Sequence, residues 1–434
     1  VCKTIGNEAP SIINDSAFAK AFNTIQNLIK SDLILAGHDV ASGGLITTLL
    51  EMCFADTELG ATIDLSGLGE EDLIKVLFAE NAGVVFQARN ESVEAILTEQ
   101  GVPFSNIGTV TQGDTLEIKN HGVELGLTIS SLRDTWYKTS YLLDSKQTAN
   151  NLAKDRFDNY KVQPLHYMFP ANFTGKLPQI DPSRPRPKAA ILREKGSNSE
   201  REMANALYLA GFDVKDVHMT DLISGRETLE DIKFIGAVGG FSNSDVLGSA
   251  KGWAGAFLYN EKANKALKNF FAREDTMSIG ICNGCQLFLE LDLINPEHEK
   301  LAKMTYNDSK KHESSFTSVV IGNTNSIMLE DLIGTTLGVW ISHGEGKFKL
   351  PMEEWNYKIV AKYEYKDYPA NPNNSDYETA MLCDLTGRHL VTMPHIERSI
   401  FQWNWANYID GRQDEVSPWL AAFVNARKWI ELNS

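Results

Sequence analysis

Cysteine is scarce in this chain, and positive charge is outweighed by negative. Five cysteines in 434 residues, at Cys2, Cys53, Cys282, Cys285 and Cys383, form an odd and scattered set. Such a set argues against a disulfide framework and for a reducing, cytoplasmic setting. No run of 18 apolar residues occurs, so no membrane-spanning helix is expected, and no secretory signal is visible. Lys+Arg number 41 against 57 Asp+Glu, a net charge of −16, and no face reads as a basic stripe. That argues against a nucleic-acid or anionic-membrane partner, though not against a small anionic substrate, because a local site need not follow net charge. A fixed-period repeat and a low-complexity tract are also lacking. What is present is 43% hydrophobic and 23% charged residues, the profile of a soluble globular protein. The length calls for two or three domains. Residue 1 is Val and the text opens abruptly, so the chain reads as a piece of something longer.

Along the chain, residues 11–30 carry an amphipathic helix, with Ser16 as N-cap and Phe18, Phe22, Ile25 and Ile29 on one face. "LILAGHDVASGGLITTLLEMCFA" reads as strand, glycine loop and helix. "ATIDLSGL" and "AGVVFQA" alternate like strands, "VEAILTEQG" is a helix ending at Gly101, and a hairpin turns near Asn120-His121-Gly122. Without strict βα alternation, residues 1–135 are expected to form an α+β domain. Residues 136–187 begin polar and helical, then carry Pro178, Pro182, Pro185 and Pro187, the composition of an extended linker. From Lys188 to residue 434 the alternation is regular. "SEREMANALYLAG" predicts a helix with Met203, Ala206, Leu207 and Ala210 inward and Gly211 at its end. Strands alternating with helices predict an α/β domain with a mostly parallel sheet and a site at the strands' C-terminal ends.

The run "SIGICNGCQLFLELDLI" holds the sharpest signal. A strand turning through a Gly-flanked residue into a helix exposes that residue's side chain, as in the nucleophile elbow of hydrolases. Gly280 and Gly284 flank Cys282 at two residues on either side. A helix starting near Gly284 would aim N–H groups and a positive dipole end at the sulfur, which favours the reactive thiolate. Three rival readings stay open on this motif alone. A zinc site needs about four ligands, and no second CxxC exists. A redox pair would suit the βαβ surroundings. Two buried structural cysteines would also account for the pattern.

A nucleophile needs a base, and the base an orienting group. In "TMPHIERSIFQW", His395 follows a strand and a proline, and Glu397 lies two residues on. In an extended segment those two side chains share a side, so the carboxylate can hold the imidazole tautomer. A surface histidine beside a surface glutamate would look the same. Gly239-Gly240 at another strand end offers bare N–H groups for an oxyanion hole. "SHGEGKF" places His343 and Glu345 in a Gly-rich loop, suited to an amino acid's charged ends or to a polar turn.

Taken together, "GGFSNSDVLGSAKGW", "GICNGCQ", "SHGEG" and "MPHIER", in this order, resemble the triad glutamine amidotransferase domain of the phosphoribosylformylglycinamidine synthase family. "LREKGSNSEREMA" strengthens that resemblance, which covers residues 188–434. "GHDVASGGLITTLLEMCFA" and "LFAENAGVVFQ" resemble the family's last synthase subdomain, similar in fold to the C-terminal domain of aminoimidazole ribonucleotide synthetase. "TWYKTSY" resembles the segment before the glutaminase.

The resemblance implies a class I, flavodoxin-like glutaminase domain in which Cys282 is the nucleophile and His395 and Glu397 complete the triad. Gly240 and Asn283 would supply oxyanion N–H groups, and His343, Gly344, Glu345 and Gly346 would hold glutamine. Asp39 matches a family aspartate that coordinates Mg²⁺ at an auxiliary nucleotide site. The implied activity is glutamine-dependent amidation of formylglycinamide ribonucleotide in purine biosynthesis. ATP and Mg²⁺ would act mostly in an N-terminal synthase portion of the same polypeptide, and the glutaminase step would need no cofactor. The sequence departs from the family at Ala41, where a serine is usual, at "FSNS" for "FSYG", and at Ile396 for proline. Ala41 cannot offer a hydroxyl to a nucleotide; the other two changes remove no reacting group. An amidotransferase with another acceptor and a non-catalytic binding relative are the alternatives. The front domain weighs against the first and the intact Cys282, His395 and Glu397 against the second.

Overall fold

The computed structural model describes residue 12, residues 14–55 and residues 58–433, which form two compact units, 1–140 and 141–434.

In the first unit the opening helix, Asp15–Lys30, is capped by Asn14, whose side chain accepts from Ala17 N–H at 2.9 Å. The cap is thus two residues before the expected Ser16: Asn14 is the first good cap in the run, and its backbone is extended while Ser16 is already helical. Leu28 and Thr24 are buried, while Phe18, Phe22 and Ile29 on the predicted apolar face are about half exposed. Strand Ile34–Asp39 pairs antiparallel with Val84–Ala88, setting His38 opposite Val85. A second sheet has the order Gly108–Gln112, Leu59–Asp64, Thr115–Asn120, Val123–Thr128. Its hairpin turns through His121 and Gly122, both at positive φ, as the Asn-His-Gly signal predicts. Ile46, Leu49, Ile63, Val76, Leu116, Ile118 and Ile129 make the core.

The second unit is built on a nine-stranded sheet. Its order is Thr336–His343, Glu313–Ile321, Lys358–Tyr363, Thr379–Cys383, His389–Thr392, Met277–Ile281, Phe234–Ala237, Lys188–Arg193, Asp213–His218. The strands from His389–Thr392 to Asp213–His218 run parallel, and the rest extend the sheet with antiparallel pairings. The sequence announces the parallel half through its βα alternation; the antiparallel half follows from connections that carry no long helix. Every residue of Met277–Ile281, Phe234–Ala237, Thr379–Cys383 and His389–Thr392 is buried, which explains why these strands are largely apolar and do not alternate. Helix Glu200–Ala210 buries Met203, Ala206, Leu207 and Ala210 and ends on Gly211, as its spacing predicts.

Residues from the expected linker, 136–187, take part in this unit from residue 141 onward. Arg156, on helix Leu152–Asn159, bridges Asp144 at 2.9 Å and the buried Glu313 at 3.0 Å. Met168 pairs with Thr336, and the rings of Tyr167 and Phe169 pack on Trp405 at 5.2 and 5.6 Å. The proline-rich end has no helix or strand.

Candidate active site

The site lies where the parallel strands end. Met277–Ile281 sits between Phe234–Ala237 and His389–Thr392, so the segments leaving all three strands meet above one edge of the sheet. Cys282 follows the middle strand at φ 53°, ψ −105° and caps helix Asn283–Glu290. Positive φ in a residue with a Cβ is strained, and the neighbours enforce it. Cys282 N–H donates to Thr392 O at 2.8 Å, and its carbonyl accepts the first helical bond, from Gln286 N–H at 3.0 Å. The flanking glycines are there for space. A Cβ on Gly284 would stand 2.1 Å from Ala237 O, and one on Gly280 2.6 Å from Gly284 O.

Cys282 is 5% exposed, with Sγ 3.6 Å from the Ser342 carbonyl. The His395 ring reaches the Cys282 side chain and packs at Gly239, where a Cβ would come within 2.9 Å of Cε1. His395 Nδ1 is 2.6 Å from Glu397 Oε1, and both side chains are buried. The expected i, i+2 pairing is therefore met, but by different means. His395 is anchored by its own N–H to Trp340 O at 2.8 Å, and Glu397 follows in the 3₁₀ turn Ile396–Arg398 rather than in extended chain. Burial alone would disfavour a charged imidazole. The Glu397 carboxylate and the hydrogen bonds to Cys282 and Glu397 outweigh it and push His395 up to about 10. Burial alone would raise the Glu397 carboxyl; the His395 charge and hydrogen bond hold it below its usual range. Among the described residues Glu397 Oε2 has no hydrogen-bond partner, and Arg398 Nε lies 3.8 Å from Oε1.

Gly240, at φ 119°, sits in a narrow slot: a Cβ there would be 2.6 Å from Asn198 N. Its N–H has no acceptor among the described residues, whereas its neighbours are engaged through Asn198 N–H to Gly239 O at 2.8 Å and Phe241 N–H to Gly196 O at 2.9 Å. Asn283 heads the nucleophile helix, where N–H groups lack intrahelical acceptors.

His343 ends strand Thr336–His343 and is 2% exposed, with both ring nitrogens unpartnered among the described residues. Burial first, then the charges of His395 and His312, push it down to about 3, so the ring is neutral. Gly344, Glu345 and Gly346 continue the loop, and a Cβ on Gly346 would lie 2.3 Å from His343 Nδ1.

Three residues that sequence reasoning passed over complete this geometry. Asn307, fully buried, donates to His343 O at 2.7 Å and accepts from Gly346 N–H at 3.0 Å, pinning the loop. Gln286 donates to Glu345 O at 2.8 Å; its place four residues after Cys282 in the G-x-C-x-G-x-Q pattern was the available signal. His312 Nε2 lies 3.0 Å from Ser342 Oγ and its ring 5.8 Å from that of Phe241, contacts with no local sequence signature.

Cys285 faces the core with no exposure, and burial, with a smaller effect of Cys282, raises its thiol well above the usual range. A thiol held neutral this way is unreactive. The four described cysteines are free, and no group of three His, Cys, Asp or Glu side chains suited to a metal occurs among the described residues.

Asp39 belongs to the first unit. Its carboxylate is 75% exposed and lies 3.5 Å from His38 Nδ1, while His38 Nε2 meets Glu51 at 3.0 Å. A magnesium ion takes several oxygen ligands, of which the Asp39 carboxylate would be one. No helix among the described residues is long and apolar enough to cross a membrane.

Comparison with known proteins agrees with this architecture. Residues 186–430 match the CobB/CobQ-like glutamine amidotransferase domain family, and residues 14–120 match the C-terminal domain of AIR synthase related proteins. Over 98% of its length the chain is 36% identical to the probable phosphoribosylformylglycinamidine synthase, chloroplastic/mitochondrial, of Arabidopsis thaliana, covering 32% of that protein. It is likewise 36% identical over 98% of its length to the phosphoribosylformylglycinamidine synthase of Homo sapiens, covering 34% of it. The chain thus spans about a third of the length of these curated relatives. Among solved structures, PurLQS from Thermotoga maritima aligns with 55% of this chain and 97% of its own at a TM-score of 0.43 and 22% identity. The chain belongs to the CobB/CobQ-like glutamine amidotransferase domain family, whose model matches more than half of it.

Proposed function

We propose that this chain hydrolyses glutamine through Cys282, His395 and Glu397 and supplies the ammonia for ATP-dependent amidation of formylglycinamide ribonucleotide in purine biosynthesis. The observation that carries this reading is the buried 2.6 Å His395–Glu397 pair set against Cys282 at a strained helix cap. The names and coverage of the relatives support the amidation half, which belongs to a longer polypeptide than this chain.

In the proposed mechanism Cys282, as a thiolate whose proton rests on His395, attacks the side-chain carbonyl carbon of glutamine. The oxygen takes up negative charge between the N–H groups of Gly240 and Asn283, a contribution worth about a hundredfold or more in rate per donor. His395, which holds its proton up to about 10, gives that proton to the departing nitrogen as the C–N bond breaks, leaving a thioester and ammonia. His395, now neutral, takes a proton from water as it attacks the thioester, giving glutamate and restoring Cys282. Glu397 holds Nδ1 so that Nε2 faces the sulfur throughout. His343, Gly344, Glu345 and Gly346 hold the amino-acid end of glutamine. ATP and Mg²⁺ serve the acceptor reaction in the synthase portion, to which Asp39 contributes at most one carboxylate. The cytoplasm is the proposed location.

Covalent labelling with an electrophilic glutamine analogue, located by peptide mass spectrometry, tests the reading. Label at Cys282 that persists in Cys285→Ala, vanishes in Cys282→Ala and competes with glutamine is the expected result. In the full-length protein, the absence of label at Cys282 would leave a binding module in place of a glutaminase.

A further inference from the structure

Three segments converge on Cys282, and one line of hydrogen bonds crosses all three. Ser242 N–H donates to Asn283 Oδ1 at 3.2 Å. Asn283 Nδ2 donates to Gln286 Oε1 at 2.9 Å, and Gln286 Nε2 donates to Glu345 O at 2.8 Å. Asn283 is fully buried and Gln286 is 5% exposed, so water does not compete for these groups. The line has a direction fixed at both ends. A backbone N–H can only donate and a backbone carbonyl can only accept. Turning either amide around would set N–H against N–H or oxygen against oxygen.

The Ser242 end matters because of what precedes it. Gly239 and Phe241 are tied on one side, to Asn198 and Gly196, and Ser242 on the other, to Asn283. Between these ties the Gly240 N–H is left without an acceptor among the described residues. Without Asn283 the segment would be hydrogen-bonded from one side only. At the other end, Gln286 ties the Glu345 carbonyl to the nucleophile helix.

We infer that the Asn283 side chain is a positioning residue, the centre of a directional amide relay that sets the Gly240 N–H and the Glu345 loop relative to Cys282. This rests on the glutaminase reading and adds to it. Residue 283 then acts twice: its backbone N–H faces the oxyanion, and its side chain places the second donor. At its Asn283 end the relay acts on the geometry in which charge develops and governs turnover, at its Gln286 end it also holds the loop that binds glutamine, and at neither does it alter the reactivity of the sulfur.

The test compares wild type, Asn283→Ala, Gln286→Ala and Gln286→Glu in the full-length protein. Three readouts are taken: kcat and KM for glutamine hydrolysis, the rate of Cys282 alkylation by iodoacetamide, and the melting temperature. A donor displaced rather than removed should cost about 10- to 100-fold in kcat, somewhat less than outright loss. In Asn283→Ala KM should stay within about threefold, in the Gln286 variants it should rise as well because the Glu345 loop is freed, and in all of them alkylation should stay within about twofold, because the small electrophile uses no oxyanion hole. Gln286→Glu separates direction from space filling. It keeps the shape but sets a carboxylate oxygen against the Glu345 carbonyl, so it should be as damaging as Gln286→Ala. Folded Asn283→Ala or Gln286→Glu protein with kcat within twofold of wild type overturns the relay alone. Alkylation that falls in step with kcat also overturns it, because the sulfur itself would then have moved. A wild type that neither hydrolyses glutamine nor forms a Cys282 thioester overturns the glutaminase reading and the relay together.

Discussion

Glu397→Gln is the sharpest probe of the site. The substitution is nearly isosteric and removes the charge from a side chain with no exposure, 2.6 Å from His395 Nδ1. The rise of His395 from 6.5 to about 10 corresponds to roughly 5 kcal/mol favouring the protonated ring, net of the burial that opposes it. Glu397 and Cys282 each contribute a charge and a hydrogen bond to that rise. Without the Glu397 charge and hydrogen bond, burial pulls the ring back toward neutrality and nothing holds Nδ1, and losing a positioned acid–base group in this way costs on the order of 10²-fold in rate. The expected result is a kcat for glutamine hydrolysis lower by about 10²-fold, with KM little changed because Glu397 lies behind the ring. The alkaline limb of the pH–rate profile should also move down, since a ring without the carboxylate gives up its proton earlier. Steady-state assay of glutamate release across pH 6 to 10 measures both. A Glu397→Gln protein with kcat within threefold of wild type and an unmoved alkaline limb would falsify the proposed role of Glu397.

Gly284→Ala should abolish the native elbow, because its Cβ would stand 2.1 Å from Ala237 O in a buried strand; a melting curve that matches wild type would contradict this. Arg156→Ala leaves the Glu313 carboxylate, 4% exposed, with Tyr368 as its remaining partner, and should cost about 1–3 kcal/mol in denaturant unfolding. No measurable loss would mean that the Arg156–Glu313 bridge adds nothing to the stability of the second unit. Two buried neutral histidines should make the fold acid-labile. Burial lowers His389 to about 4 and His343 to about 3, so below about 6.5 the unfolded chain binds protons that the folded chain refuses. The share of stability that these two rings control is therefore complete above that pH and falls as pH drops toward 4, by on the order of 3 kcal/mol from His389 alone. His389→Phe should flatten the profile, and an unchanged profile would contradict the assignment.

Local patterns spoke clearly where the physics was local. The period of "SEREMANALYLAG" named all four buried residues of its helix, because one face of an isolated helix decides which side chains leave water. The glycines around Cys282 announced a tight turn, because only a missing Cβ permits backbone at 2.1 Å. The His395-x-Glu397 spacing announced a pair, although a 3₁₀ turn, not extended chain, joins them.

What the sequence by itself determined, then, was the set of elements and the residues able to do chemistry. Which of them meet was decided by the order of strands. Met277–Ile281 lies between Phe234–Ala237 and His389–Thr392, strands far apart in the chain, and only that order brings Gly240, Cys282 and His395 together. The same holds for Asn307 beneath the His343 loop, His312 beside Ser342, and Asn283 between Ser242 and Gln286. Of these contacts only Asn283–Gln286 falls within a single helical turn. The others join groups brought close by packing over long sequence separation, which no local pattern encodes.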